Sequence, residues 1–149
     1  LKRSQKYYNN YMDTIDANMN FRKNSKAGMH KNNAWYYLLF GEYEHAEQEL
    51  KLVYEIQSKD QSPTALDEYN GLYGMVHLMK GDPKSALKFF NENINVENYT
   101  YYAYFKGLAL KGTDNKTRAD DIFNKIANHN FSSWDAALVR SLAQKQLKQ

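Results

Sequence analysis

The four histidines are the residues of this chain that most readily suggest chemistry, because imidazole binds metals and transfers protons near neutral pH. Glu49 follows His45 by one helical turn, which predicts a surface side-chain pair. His77 falls on the packed side of its predicted helix, where we expect a hydrogen-bonded core histidine. The four histidines are His30, His45, His77 and His129. None of them has the spacing of an HExxH motif, an HxH pair or a ligand cluster with carboxylates. The sequence therefore predicts no metal site.

Carboxylates and nucleophiles give no stronger signal. Asp120 and Asp121 are adjacent, with Asp114 nearby, but adjacent residues of a helix diverge by about 100°, so their carboxylates do not converge. The chain contains no GxxxxGK[ST], GxGxxG or GxSxG motif, and it has no cysteine for thiolate chemistry or disulfides. We predict that the protein is not an enzyme and requires no cofactor.

The charge of the chain is modest and unevenly distributed. There are 20 Lys and Arg residues against 17 Asp and Glu residues, a formal net charge of +3, and residues 1–33 carry seven of the basic residues and two of the acidic ones. This basic end could meet an acidic partner or a membrane surface, although a solvated lysine-rich surface is the simpler interpretation. The basic residues do not share one helical face, so nucleic-acid binding is not predicted.

The sequence contains no signal for membrane insertion or targeting. No run approaches about 18 apolar residues, the length that a membrane-spanning helix needs. The chain starts at Leu1 without an initiator Met or an apolar signal core, which suggests a fragment or a mature protein whose targeting signal is lost. We therefore expect a soluble compartment, either the cytoplasm or the periplasm.

Apolar residues at spacings of three and four residues predict helices along the whole chain and no strand, so the fold class is all-α. Gly41 suits the left-handed residue that ends a helix. Ser62-Pro63 and Asp82-Pro83 each combine a capping side chain with a proline that suits a first helical turn. Residues 18–25 are polar and non-periodic, and we interpret them as a connection. The predicted helices span residues 4–19, 26–40, 43–57, 63–80, 83–94, 99–111, 116–127 and 134–148.

The last predicted helix places its larger apolar residues along one stripe, which we expect to pack: Trp134, Leu138, Leu142 and Leu147. Ser132 and Asp135 have the spacing of a capping box at its start. Four polar residues remain for water on the other side: Arg140, Gln144, Lys145 and Lys148. This polar side suits a helix that caps the end of a structure.

Small and large residues recur at a fixed distance in the middle of the chain. Three of them reappear 33 positions later: Gly74 as Gly107, Ala86 as Ala119 and Phe90 as Phe123. Upstream, Gly41, Ala46 and Leu50 parallel Gly81, Ala86 and Phe90 at a distance of 40 residues, the excess fitting a longer loop around Ser58 to Ser62. A small residue lets two antiparallel helices approach, and a large one four positions later fills the groove. Stacked helix pairs are therefore predicted.

This pattern resembles the tetratricopeptide repeat family, whose period is about 34 residues. Asn33 and Lys106 depart from it, because the family usually has large apolar residues at these positions. The resemblance implies one domain, a right-handed array of about three helical hairpins with a flanking helix before it and a capping helix after it. The corresponding boundaries are residues 1–24 for the flanking helix and loop, 27–60, 67–98 and 100–130 for the repeats, and 132–149 for the cap.

The resemblance also implies where a partner would bind. The first helices of such pairs line a concave groove that accepts an extended peptide or a partner helix. Its groove positions correspond to Lys31, Trp35, Glu68, Gly71, Met75, Tyr101, Tyr104 and Leu108. Family members that hold a terminal carboxylate use a cluster of Lys, Arg and Asn. Here only Lys31 and Asn32 fit, so a carboxylate clamp is not predicted.

We expect a non-catalytic protein–protein interaction scaffold that binds a peptide or a partner helix, and we expect Trp35 and Tyr104 to contribute to binding. A small-molecule or glycan-binding domain that uses the tyrosine-rich face is the alternative, because the chain has thirteen tyrosines and asparagine-rich loops. Packing within or between helix pairs also accounts for these aromatic residues. A homodimer stays open, since an uncapped repeat end can pair with itself.

Overall fold

A computed structural model of the chain describes residues 3, 6–7, 19–129 and 133–148, with the backbone alone for residues 19–24. Within these ranges the structure is all-α and contains no strand. The seven long helices in these ranges are α1 (Met19–Leu39), α2 (Tyr43–Gln57), α3 (Asp67–Met79), α4 (Pro83–Glu92), α5 (Thr100–Lys111), α6 (Lys116–Ala127) and α7 (Trp134–Gln146).

The chain forms two compact units. The first unit, Leu1–Asp60, contains α1 packed against α2, and the second unit, Gln61–Gln149, contains α3 to α7. Within the second unit α3 packs on α4 and α5 packs on α6, while α5 also contacts α3 and α7 packs on both α5 and α6. The boundary between the units falls in the Ser58 to Ser62 segment, where the sequence predicts a break.

Two predicted helix starts differ from the structure, and the first predicted helix, residues 4–19, lies almost entirely outside the described residues. The predicted connection at residues 18–25 is wrong, because α1 already begins at Met19. No proline or glycine interrupts residues 19–26, so a polar stretch continues the helix. The predicted start at Ser62-Pro63 is also wrong. Ala65 N–H donates to Ser62 O at 3.1 Å, which closes a four-residue β-turn, and α3 begins only at Asp67.

Asp67 is the first residue of α3, and its buried carboxylate holds the connection between α4 and α5. Its Oδ1 accepts a hydrogen bond from Ile94 N–H at 2.9 Å. Its Oδ2 accepts from Asn95 N–H at 3.2 Å and from Asn95 Nδ2 at 2.7 Å. Asn93 Nδ2 donates to the backbone oxygen of Asp67 at 2.8 Å. The first residue of one helix pair therefore fixes the loop that leads to the next pair.

The same turn ends the first helix of all three pairs. A backbone N–H bonds the carbonyl five residues earlier in each case: Glu42 to Tyr37 at 2.9 Å, Asp82 to His77 at 2.9 Å and Asn115 to Leu110 at 3.0 Å. The residue before each donor has a positive φ, +74° at Gly41, +82° at Gly81 and +59° at Asp114. Asp114 thus takes the role of the turn glycine in the third pair, which the irregular sequence Gly112-Thr113-Asp114 does not reveal.

The recurring residues make the close contacts that their spacing predicts. A Cβ on Gly74 would lie 2.9 Å from Phe90 Cε1, and a Cβ on Gly107 would lie 2.6 Å from Phe123 Cε1. Both phenylalanines are fully buried, as are the preceding small residues Ala86 and Ala119 and, in the first unit, Ala46 and Leu50. The two helix pairs of the second unit therefore have equivalent cores, because in each pair a phenylalanine ring packs directly against the backbone of a glycine.

Candidate functional site

The candidate surface of the second unit depends on how α3 and α5 meet. A Cβ on Gly71 would lie 2.8 Å from Tyr102 Cε1, so the Tyr102 ring covers the backbone of α3 at this position. Burial raises the pKa of the Tyr102 hydroxyl, and the neighbouring Tyr101 and Tyr99 raise it further. Tyr102 remains a neutral packing residue, and its ring brings the two helices together.

The predicted groove residues of the second unit divide into two groups. Met75 and Tyr104 are 0% and 6% exposed, and Gly71 is buried under Tyr102. These three residues pack inside the unit. The expectation that Tyr104 contacts a partner is therefore corrected, because its side chain is buried. The remaining three predicted residues are half-buried and accessible: Glu68 on α3, and Tyr101 and Leu108 on α5.

Tyr104 is buried because residues of α6 and of the last turn of α7 pack against it. Its ring lies 5.8 Å from the Phe123 ring and 5.4 Å from the Phe105 ring, centroid to centroid. Its side chain also hydrogen-bonds Gln146 near the end of α7. Gln146 Oε1 in turn accepts a hydrogen bond from Lys111 Nζ at 3.0 Å. Sequence spacing places Tyr104 within one to two turns of Tyr101 and Leu108 on α5, but it does not show that α7 packs over Tyr104.

The first unit contains the other two predicted residues, Lys31 and Trp35, one helical turn apart on α1. Both are half-buried, and burial lowers the pKa of the Lys31 ammonium group. Close by, His30 Nδ1 lies 2.6 Å from Glu49 Oε2, a largely buried pair between α1 and α2. The predicted pair of His45 with Glu49 is therefore wrong, and His45 Nδ1 instead lies 3.1 Å from Glu42 Oε2.

The two residues that depart from the family pattern, Asn33 and Lys106, are both buried. In the part of the chain that the structure describes, Asn33 Nδ2 has no hydrogen-bond partner, and neither has His30 Nε2 one turn before it. Burial is the main cause that lowers the pKa of Lys106, while nearby Glu97 opposes this effect. Neither residue is placed to contact a partner directly.

A row of four rings that was not predicted from the sequence runs across α3 and α4. The Tyr73 ring lies 5.4 Å from the Tyr69 ring and 5.2 Å from the His77 ring, centroid to centroid. Phe89 of α4 stacks on His77 at 5.2 Å with an interplanar angle of 13° and lies 4.7 Å from Tyr73. All four residues are half-buried. The spacing of Tyr69, Tyr73 and His77 by four residues is the signal that could have identified them.

The last helix faces the opposite way from the prediction. Ala136, Val139 and Ala143 are buried, whereas the α7 stripe, defined here as Trp134, Leu138 and Leu142, is 70%, 52% and 39% exposed respectively. Small side chains allow α7 to lie close to α5 and α6, which explains why they form the contact face. The predicted packing role of the stripe is therefore wrong, although Leu147 is half-buried as expected.

The ends of α7 also differ from the prediction. Ser133 Oγ accepts a hydrogen bond from Ala136 N–H at 3.3 Å, so Ser133 is the N-cap, while Ser132 lies outside the described residues. Arg140 is half-buried, and its Nη2 donates to His129 O at 2.7 Å. Gln144, Lys145 and Lys148 are exposed, as predicted.

A small surface cavity lies between the start of α5 and the end of α6. It has a volume of about 60 Å³ and is lined by Glu97, Thr100, Ala103, Ile122, Lys125, Ile126 and His129. Lys125 Nζ lies 3.6 Å from Glu97 Oε2 in an exposed ion pair at this site. Small-molecule sites usually have volumes of roughly 300–1,000 Å³, so this cavity is too small for a ligand of that kind.

The described residues contain no group of three or more His, Asp or Glu side chains that could hold a metal ion. Among the helices in these ranges, none is both long and apolar enough to cross a membrane. Comparison of the chain with protein-family models, with curated proteins and with solved structures returns no match. The geometry of the chain itself therefore carries the functional argument.

Proposed function

We propose that the protein is a non-catalytic interaction scaffold built from tetratricopeptide-like helix pairs, and that it binds a peptide or a partner helix. The observation that carries this proposal is the repetition of one structural unit. The Gly74–Phe90 contact recurs as Gly107–Phe123, and the same six-residue turn closes the first helix of each pair. Within the second unit, the repeated helix pairs place α3 and α5 in contact as a preformed surface, which lowers the ordering cost of binding.

The binding surface proposed in the second unit consists of Glu68, Tyr101 and Leu108. Tyr101 and Leu108 lie two turns apart on α5, so they present an aromatic and an aliphatic anchor along one face. Tyr101 is held in place by Phe105, whose ring centroid lies 4.9 Å away. Glu68 adds a negative charge on α3. This chemistry suits a segment with apolar side chains and a neighbouring Lys or Arg. Lys31 and Trp35 form a separate proposed contact in the first unit.

The test begins with peptides selected against the whole chain from a random peptide library. Binding is then measured by fluorescence anisotropy for the wild type and for Tyr101→Ala and Leu108→Ser. We expect each variant to weaken binding about tenfold or more, which corresponds to roughly 1.4 kcal/mol. The matched control is Leu52→Ser, an exposed leucine of α2 in the first unit.

Melting temperature by circular dichroism separates lost binding from lost folding, because Tyr101 also packs on Phe105. Tyr101→Phe keeps that packing and should keep most of the affinity. Peptides that bind the Tyr101 and Leu108 variants as tightly as the wild type would remove this surface from the proposal.

A glycan or small molecule is the second candidate, and one observation favours it. Tyr99 is exposed, its ring centroid lies 6.0 Å from that of Tyr102, and Asn98 Nδ2 donates to Asn95 Oδ1 at 3.0 Å in the same connection. A ring beside amide groups is a typical sugar-binding combination. A glycan array with thermal-shift follow-up tests this candidate. Saturable stabilisation that is lost in Tyr99→Ala would support it over peptide binding.

A further inference from the structure

We infer that the α7 stripe is the docking surface for a second copy of this chain, with the two α7 helices antiparallel about a twofold axis near Leu138. This inference is independent of the proposed peptide surface, which lies on α3 and α5. It starts from the direction in which α7 presents its side chains.

The exposed and buried residues of α7 lie on opposite sides of the helix. At about 100° per residue, the α7 stripe occupies a narrow sector, and the buried residues Ala136, Val139 and Ala143 lie roughly 140° away from its centre. The larger apolar side chains are thus on the solvent side. Trp134 is the most exposed large apolar residue that the structure describes. A contiguous apolar stripe of this kind usually marks an interaction surface.

The spacing of the stripe makes it self-complementary. Trp134 and Leu142 each lie four residues from Leu138. An antiparallel arrangement about Leu138 therefore places Trp134 of one copy against Leu142 of the partner subunit, and the two central leucines against each other. Because a twofold interface uses the same patch on both subunits, no further surface is needed.

Charge selects the antiparallel arrangement over the parallel one. The first turn of α7 carries Asp135 and its last turn carries Lys145. With the axis at Leu138, Asp135 lies opposite the partner's Ser141 and the partner's Lys145 lies about one helical turn farther along, so opposite charges lie on neighbouring turns. The two helix dipoles also oppose each other favourably in this arrangement. A parallel dimer would place like charges side by side at both ends.

The size of the stripe predicts a weak dimer. A stable interface buries about 800 Å² on each partner, more than three side chains and their neighbours supply. We expect a dissociation constant on the order of 10–100 µM. Each dimer would carry two copies of the interaction surface, and a partner with two binding segments would then gain avidity.

The first experiment is sedimentation equilibrium of the chain from about 1 µM to about 500 µM, a range in which mass action reveals such a dimer. We expect Leu138→Lys to weaken dimerisation at least tenfold, since it places two ammonium groups together on the axis. The matched control is Leu52→Lys, whose leucine on α2 is 39% exposed, as is Leu142. A wild-type chain that stays monomeric throughout, or equal effects of both lysine variants, would overturn the inference.

The absence of cysteine in this sequence allows a geometric test. We expect Leu138→Cys to crosslink to itself with a short thiol-reactive linker at dimer-forming concentrations. Trp134→Cys should crosslink efficiently to Leu142→Cys in a mixture of the two variants, and poorly to itself. Efficient self-crosslinking of Trp134→Cys and of Leu142→Cys, with little between them, would show a parallel dimer and contradict the antiparallel arrangement.

Discussion

The helix pairs of the second unit and its last helix bury opposite kinds of side chain. In α3–α4 and α5–α6 the large rings of Phe90 and Phe123 lie inside, each against a glycine of the facing helix. In α7 the small residues lie inside and Trp134 lies outside. All these helices show apolar periodicity, so the difference teaches that periodicity alone does not decide which face is covered. Which face of a helix is buried depends on the depth of the groove on the neighbouring helices and on which helices pack against it.

The largest effect is expected for a buried aromatic residue, Phe123, in comparison with an exposed one, Trp134. Phe123→Ala should lower the free energy of unfolding by about 3–5 kcal/mol, because it leaves a cavity against Gly107. Trp134→Ala should change it by no more than about 0.5 kcal/mol in dilute solution, since its ring is exposed. Urea unfolding followed by circular dichroism measures both values. A loss above about 2 kcal/mol in Trp134→Ala would show that the stripe packs inside the unit.

The glycine contacts allow the comparison to be sharpened without removing a ring. Gly107→Ala should lower the free energy of unfolding by about 1–3 kcal/mol, because its Cβ would lie 2.6 Å from Phe123 Cε1. Gly74→Ala should cost somewhat less, at 2.9 Å from Phe90 Cε1. Gly28 of α1 is the control, since no atom lies within 4 Å of a Cβ built there. Gly28→Ala should stabilise by about 0.5–1 kcal/mol through helix propensity alone.

The two connections that lead out of the helix pairs should also differ. Asp67→Ala removes three hydrogen bonds to the loop after α4 and should cost about 2–3 kcal/mol. Ser133→Ala removes one capping bond at the start of α7 and should cost about 1 kcal/mol. Thermal unfolding of both variants checks this order. Equal losses would show that the three bonds to the Asp67 carboxylate contribute no more to stability than the single capping bond of Ser133.

The smallest effects test whether the three turns are equivalent. Asp114→Gly should stabilise the chain by about 0.5–1 kcal/mol, because glycine adopts its positive φ of +59° more easily. Gly81→Ala, at a φ of +82°, should destabilise it by about 1 kcal/mol. Differential scanning calorimetry resolves changes of this size. Destabilisation by Asp114→Gly would show that the aspartate side chain has a role beyond the turn.

Local signals in the sequence were sufficient for much of the fold. The Asp82-Pro83 start is confirmed by the bond from Ser85 N–H to Asp82 Oδ1 at 3.1 Å, and the bonds from Ser85 lower the pKa of that carboxyl group. The glycine–phenylalanine spacing is confirmed by direct contact. Ser62-Pro63 has equally good local chemistry, yet no helix begins there. Residues 63–66 form turns instead, and α3 starts four residues after Pro63 at Asp67, whose carboxylate binds the loop after α4.

The candidate site was less predictable, since it depends on what covers each helix face. Tyr101 and Tyr104 are neighbours on α5 with the same residue type, but Gln146 of α7 reaches one of them from 42 residues away. Likewise, nothing in the local sequence of Trp134 shows that Ala136, Val139 and Ala143 offer a closer fit to α5 and α6. The sequence shows which residues share one face of a helix. Whether another helix covers that face is decided only when the helices pack together.

The orientation of α7 is the central claim, and one measurement tests it directly. The chain has two tryptophans, Trp35 and Trp134, so Trp35→Phe leaves Trp134 as the only indole. Acrylamide quenching of this variant is measured in dilute solution, with Trp134→Phe as the control that reports the half-buried Trp35. An exposed stripe predicts red-shifted emission and quenching close to that of a free tryptophan derivative. Blue-shifted emission that acrylamide barely quenches in the dilute monomer would contradict the outward orientation of α7.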